Sequence, residues 1–232
     1  MQQVKKRLKR IKERVKEAAL KAGRNPEDIK VVAVSKTHSL DKIKQVSQAG
    51  IISFGESRVQ ELRDKYETMP HLDWHMIGHL QRNKVKYLAR MKNCKLIHSV
   101  DSLRLAKKIE DRAQKADRQM NVLIQVNIAK DKNKYGLAPE KINDFLTKVA
   151  TLDYLQVKGL MTLVPYVDDP EEVRPYFREL RELFTEIKAR QISGIKMKEL
   201  SMGMTNDFEI AIEEGATIVR IGRGIFGARD YK

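Results

Sequence analysis

The sequence predicts a closed (β/α)8 barrel, and three observations carry that prediction. Eight short apolar, β-rich runs recur along the chain, helical stretches separate them, and small or polar residues gather just past the ends of the runs. Alternation of this kind builds a parallel sheet covered by helices, and eight repeats suit a closed barrel better than an open sheet. No linker-like or low-complexity segment interrupts the rhythm, so residues 1–232 read as one domain with an extra helix in front.

That helix is the first element. Residues 1–24 hold ten Lys/Arg against Glu13 and Glu17, a net +8 of the chain's formal +15. Val4, Leu8, Ile11, Val15 and Ala18 recur at helical spacing and form one apolar stripe. The stripe predicts a helix docked on the barrel with its basic face in water; a patch for nucleic acid or anionic lipid is the alternative. Strands are expected at Lys30–Val34, Ile51–Phe54, Asp73–Ile77, Lys95–Ser99, Asn121–Ile128, Gln156–Leu160, Met197–Leu200 and Thr217–Ile221. Helical periodicity falls between them at Leu40–Gln48, Arg58–Tyr66, Leu103–Lys115, Pro139–Ala150, Val173–Gln191 and Phe208–Glu214. Asn25-Pro26, Met69-Pro70, Asp169-Pro170 and Gly194 punctuate the rhythm as turns.

Composition narrows the setting. A single cysteine, Cys94, excludes an internal disulfide and suits a reducing compartment. No apolar run approaches the ~18 residues of a membrane span, and the N-terminus lacks a signal-peptide core, so a cytoplasmic protein is expected.

Chemistry is expected where the strands end, because barrels of this kind gather their sites on that rim. Lys36 follows strand one immediately, although desolvating an ammonium at the edge of a core is costly. Gly55-Glu56-Ser57 follows strand two, Gly78-His79 three, Ser99 four, Asn127 five and Met161-Thr162 six. Ser201-Met202-Gly203 follows seven and Gly222-Arg223-Gly224 follows eight. The stretch Gly222–Gly227 fits G-x-G-x-x-G, but only five residues remain after it, too few for a dinucleotide-binding unit. A phosphate loop is the better reading, with Ser201 and Gly203 placed to complete it; a tight turn that merely ends the barrel is the other. A lysine facing a phosphate cradle suggests pyridoxal 5′-phosphate, whose aldehyde can condense with the amine. The same lysine could instead neutralise a substrate carboxylate.

Other candidates read more plainly. His75 and His79 are spaced i, i+4, but a strand-like DWHMI and Gly78 disfavour a helical metal pair, leaving structural or cofactor-adjacent roles. Met202 and Met204 are expected to pack around the site. Lys130, Lys132 and Lys134 form a solvated loop or a partner surface, and Cys94 is expected in a polar turn without catalytic use.

The stretches VAVSKTHS, FGESRVQEL, WHMIGHLQRNK, IHSVDSLRLA, VLIQVNIAKDKNKYGL, GLMTLVPY and LSMGMTNDFEIAIEEGATIVRIGRGIFGARD together resemble the pyridoxal phosphate homeostasis protein family. The resemblance implies a barrel like the N-terminal domain of alanine racemase, with Lys36 carrying the cofactor as an internal aldimine. It implies phosphate contacts around Ser201, Gly222, Arg223 and Gly224, and an Arg220 pointing inward toward the ring or phosphate. The rim set expected to meet the cofactor is therefore Lys36, His79, Asn127, Met161, Ser201, Gly203, Arg220, Gly222, Arg223 and Gly224. The chain departs from the family's usual G-E-N at Ser57, which puts any asparagine contact there in doubt.

The resemblance implies a non-catalytic carrier or buffer of pyridoxal phosphate, in contact with B6 vitamers and with apo-enzymes that accept the cofactor. An amino-acid racemase needs a base on each face of its intermediate, and the chain ends as the barrel closes. A nucleic-acid binder using the basic helix is the third class. No membrane contact is expected, and the protein is expected to be a monomer or weak dimer.

Overall fold

The computed structural model describes residues 2–228. Its strands are β1 (Lys30–Val34), β2 (Ser53–Glu56), β3 (Asp73–Met76), β4 (Cys94–Val100), β5 (Met120–Gln125), β6 (Leu155–Met161), β7 (Ile195–Ser201) and β8 (Ile218–Ile221). They pair in chain order and β8 closes on β1, giving the parallel barrel that the strand–helix rhythm predicts. Outside lie α2 (Leu40–Gln48), α3 (Val59–Thr68), α4 (Val85–Arg90), α5 (Leu103–Lys115), α6 (Ile142–Val149), α7 (Arg174–Ala189) and α8 (Phe208–Glu213). The helix α1 (Gln2–Lys21) precedes the barrel, and the one-turn α9 (Arg223–Phe226) follows β8.

Alternation along each strand sorts the side chains. Val32, Leu96, Leu123, Met161 and Ile218 meet inside the barrel. Their strand neighbours, such as Ala33, Ile97, Val122, Leu160 and Val219, join the larger core beneath the helices. Burying a Leu or Ile side chain contributes roughly 1.5–3 kcal/mol, so the helix layer holds by apolar area rather than by its surface ion pairs. The same reasoning docks α1. Its whole predicted stripe is buried, while Arg14 donates to Glu209 at 2.5 Å and Lys21 to Glu213 at 2.7 Å along α8. Arg7 reaches the Phe226 carbonyl at 3.1 Å and ties α1 to α9.

Several boundaries differ from expectation. β2 runs to Glu56 rather than stopping at Phe54, because a glycine at 55 is what the crowded inner face takes: a Cβ there would lie 3.0 Å from Val32 and 3.2 Å from Ile77. β5 stops at Gln125, three residues early, since the Asn127 side chain bonds both the N–H and the carbonyl of Asp131 and curls the chain. Ser99 lies within β4. The six-residue α4, too short for a periodic signal, was not expected. Cys94 is no turn residue; it opens β4 fully enclosed, and burial pushes its thiol up to about 12. Among the described residues no helix is long and apolar enough to cross a membrane.

Candidate functional site

β1 ends at Val34, yet its hydrogen bonding continues one residue, with Ser35 N–H donating to the Gly55 carbonyl at 3.1 Å. The chain then turns sharply, with Thr37 at φ 67° and His38 N–H closing on the Ser35 carbonyl at 3.0 Å. Lys36 is presented at the apex of that turn. Across the mouth β8 runs into Gly222, which opens α9. The His38 ring stacks on Phe226 with centroids 4.5 Å apart, so the lysine turn and the glycine turn are clamped to one another.

Between them lies a cavity of about 610 Å³, lined by Lys36, Ser57, Tyr166, Thr205, Arg220 and Arg223 among others. That volume falls in the range of small-molecule sites. A larger depression of about 1160 Å³ runs beside the mouth, past His79, Arg104 and Asp111. It is an open groove on the outer loops, and a small ligand would stay mostly in water there. The smaller cavity is the candidate site.

Arg220 enters it from below. Its guanidinium is buried, donating to Ser201 Oγ at 2.6 Å and to the Thr162 carbonyl at 2.8 Å. Ser201 Oγ lies 3.0 Å from His98 Nδ1, and His98 Nε2 lies 2.9 Å from His75 Nδ1. A guanidinium can only donate, so Ser201 Oγ accepts from Arg220. The hydroxyl keeps a proton and a second lone pair, so its bond to His98 Nδ1, and that between His98 Nε2 and His75 Nδ1, take their direction from the imidazole tautomers. Burial keeps both imidazoles neutral at neutral pH, holding His98 well below its ordinary value and His75 down to about 3. Burial also lowers Arg220 to about 10, opposed by Asp207, which leaves it charged at neutral pH. Asp207 acts on this cation through its charge, while its Oδ1 accepts the Met204 N–H at 2.5 Å.

Of the ten residues expected to meet the cofactor, Lys36, Arg220, Gly222 and Arg223 line the cavity, beside the rim residues Ser57 and Gly78. The others sit elsewhere. Ser201 is fully enclosed, its hydroxyl engaged by Arg220 and His98. Gly203 is dictated by packing: at φ 88° its Cβ would stand 2.5 Å from Ala211, while its carbonyl accepts the Arg220 N–H at 3.0 Å. At Gly224 a side chain would press on Ile11 and Ile221, both at 3.0 Å, on the side of α1; its N–H donates to Thr205 Oγ1 at 3.3 Å. Met161 packs in the barrel interior under Leu163. Asn127 shapes its own loop. His79 stacks on Tyr135 at 3.7 Å and lies 3.4 Å from Asp101, beside the open groove. No cluster of three or more His, Cys, Asp or Glu among the described residues could hold a metal.

Residue-type reasoning missed Tyr166, Thr205 and Asn206, which line the cavity too. A signal was present: Thr205-Asn206 directly follows the strand-seven turn, and Tyr166 ends the segment after strand six. The donor set suits an anion that also carries a carbonyl. Lys36, Arg220 and Arg223 supply three cations, and Thr205, Asn206 and the backbone at Gly222 add neutral donors. Pyridoxal 5′-phosphate, with an aldehyde at one end and a phosphate at another, fits that set.

Comparison with known proteins agrees with the architecture. Residues 7–230 match the family model of the alanine racemase N-terminal domain. A pyridoxal phosphate homeostasis protein of Aquifex aeolicus is 46% identical over 97% of this chain and 98% of its own. Its namesake in Escherichia coli strain K12 is 36% identical over 97% of this chain and 96% of its own. Among solved structures, PipY of Synechococcus elongatus with pyridoxal phosphate bound superposes with a TM-score of 0.83 at 31% identity, covering 97% of this chain and all of that one. A D-threonine aldolase of Filomicrobium marinum shares the fold alone, with a TM-score of 0.77 at 17% identity over 96% of this chain and 59% of its own.

Proposed function

The chain belongs to the pyridoxal phosphate homeostasis protein family, built on the alanine racemase N-terminal domain, and from that premise we propose that it binds pyridoxal 5′-phosphate at this mouth and carries or buffers it. The observation that supports this most is the convergence of Lys36, Arg220 and the Gly222–Arg223 turn on one small-molecule cavity. When bound, the cofactor supplies an aldehyde with which an unprotonated amine condenses, a C=N bond forming as water leaves. Lys36 provides that amine. The Gly222 turn and Arg223 hold the phosphate, with Thr205 and Asn206 as neutral donors, and Arg220 fixes a positive charge beneath the ring or the phosphate.

A carrier role, rather than catalysis, is supported by the naming of the relatives and by what Arg220 offers. A guanidinium facing a pyridine nitrogen keeps it unprotonated, which weakens the electron withdrawal that amino-acid chemistry needs. Amino acids added to the loaded protein should therefore turn over no faster than with free cofactor. The partners in this reading are B6 vitamers and apo-enzymes that accept the cofactor.

The decisive experiment is spectral and chemical. Protein mixed with pyridoxal phosphate should develop a visible band, and borohydride should fix the cofactor to the peptide containing Lys36. Lys36→Ala should lose band and label while still binding pyridoxine phosphate. A label on another lysine, or no band at saturating cofactor, would overturn the assignment.

A further inference from the structure

Lys36 stands between two residues whose backbones are tied to a single buried ammonium. Lys65 lies on α3, outside the barrel wall, and only 7% of it is exposed. Its Nζ donates to the Ser35 carbonyl, to Glu56 Oε1 and to Glu61 Oε1, each at 2.7 Å. Those three acceptors use every proton the ammonium has. Two of them reach back to the turn: Ser35 Oγ–H donates to Glu56 Oε1 at 2.6 Å, and Thr37 N–H donates to Glu61 Oε1 at 2.6 Å. The residue before Lys36 and the residue after it thus converge on one centre.

The turn needs such a centre. Thr37 adopts a left-handed φ of 67°, unfavourable for a β-branched residue and maintained only where its surroundings over-determine it. Burying one cation between two carboxylates is a costly way to join α3 to β2, and apolar side chains of similar volume would join them as well. What they could not do is accept the Thr37 N–H or donate to the Ser35 carbonyl. The ion cluster is fitted to the turn.

We infer that Lys65, through Glu56 and Glu61, is a positioning residue for Lys36: it holds the turn that presents the Lys36 amine to the cavity, without itself touching the cofactor. This rests on the reading of Lys36 as the cofactor lysine. Lys65 acts on where the amine stands, so it should govern how fast the amine reacts with an aldehyde. It should leave untouched the sites that hold a phosphate across the mouth.

The test compares pyridoxal phosphate, which reacts with the amine, with pyridoxine phosphate, which has no aldehyde. In Lys65→Met the rate of appearance of the visible band and of borohydride-fixed label on the Lys36 peptide should fall ten-fold or more. Affinity for pyridoxine phosphate should stay within two-fold. Glu61→Ala, at a part-exposed position, removes the Thr37 acceptor and one of the three Lys65 acceptors while leaving Lys65 with Glu56 and the Ser35 carbonyl; it should show the same split to a smaller extent and guards against a Lys65 variant that does not fold. Wild-type rates in both variants, or a parallel loss of both vitamers, would overturn the inference and leave Lys65 a structural ion pair. If wild-type protein places no label on Lys36, the cofactor reading itself fails, and this inference with it.

Discussion

Two buried polar networks flank the mouth, and they are built on opposite electrical plans. Inside the barrel, Arg220, Ser201, His98 and His75 form a line with one permanent charge and two neutral imidazoles. Outside it, between β2 and α3, Lys65, Glu56 and Glu61 bring three ionisable groups within 2.7 Å contacts. The inner network spreads a single cation over neutral acceptors. The outer one opposes charges directly and leaves Glu56 Oε2 buried without a partner among the described residues. Desolvation there outweighs the attraction of Lys65 and raises Glu56 to about 7. The inner network is thus fixed in charge across neutral pH, and the outer one is poised to change.

The largest expected effect breaks the outer network. Lys65→Met strips the counter-charge from two carboxylates, and breaking a buried pair in this way costs about 3–5 kcal/mol. The loss should be greatest near pH 8 and shrink near pH 6, where a protonated Glu56 no longer needs a cation; denaturant unfolding at the two pH values measures it. Equal losses at both would show that Glu56 does not titrate there.

Glu56→Gln sharpens the contrast with a sign. A carboxyl whose folded value is raised from 4.5 to about 7 stabilises the fold fully below 4.5 and loses that contribution as pH rises through 7. Glutamine, uncharged throughout, keeps the Ser35 and Lys65 bonds without that loss. Relative to wild type the variant should therefore gain stability as pH rises from 4.5 to 7, by up to about 3 kcal/mol at 1.36 kcal/mol per unit. The inner histidines pull the other way. His75, depressed from 6.5 to about 3, contributes above 6.5 and loses that contribution as pH falls toward 3. Acidification below pH 6.5 should hence destabilise Glu56→Gln more steeply than wild type, and parallel curves would refute the assignment.

The two networks also differ in how far the sequence discloses them. Lys36 and the Gly222 turn are legible because a rim residue announces itself by breaking an apolar run, and the strand rhythm places that break on the correct edge. His98 announces nothing. It sits mid-strand in LIHSV, and its partner Ser201 lies 103 residues away, so only the barrel's closure brings them together. Lys65 is disguised further. At i, i+4 from Glu61 on a charged helix it reads as an ordinary solvated pair. Its burial depends on β2 running to Glu56, two residues past the expected end at Phe54, which turns Glu56 outward beneath α3. A strand boundary misplaced by two residues hides the cluster. Gly224 and Gly203 show the converse: their motif is legible, but the reason for glycine is packing against Ile11 and Ala211, which spacing alone does not distinguish from a phosphate cradle.

The smallest expected effect falls on Ser201, the junction of the inner line. Ser201→Ala leaves Arg220 with the Thr162 carbonyl and deprives His98 Nδ1 of its hydroxyl partner, a loss of about 1–2 kcal/mol for one interrupted buried link. The cation itself stays, and no charge is left without its environment, so the cost should not vary between pH 6 and 8. The same variant tests how the phosphate is held. With its hydroxyl committed to Arg220 and His98, Ser201 has nothing to offer an anion at the mouth, and the work falls to the Gly222 turn, Arg223 and Thr205. The preference for pyridoxine phosphate over pyridoxine, measured by equilibrium titration, should then remain within two-fold of wild type. A ten-fold drop in that preference, the loss of one charge-assisted hydrogen bond, would mean that Ser201 turns from the inner line to the phosphate when ligand arrives. The inner network would then be a reserve of donors for the site, and its fixed charge plan would hold only in the ligand-free protein.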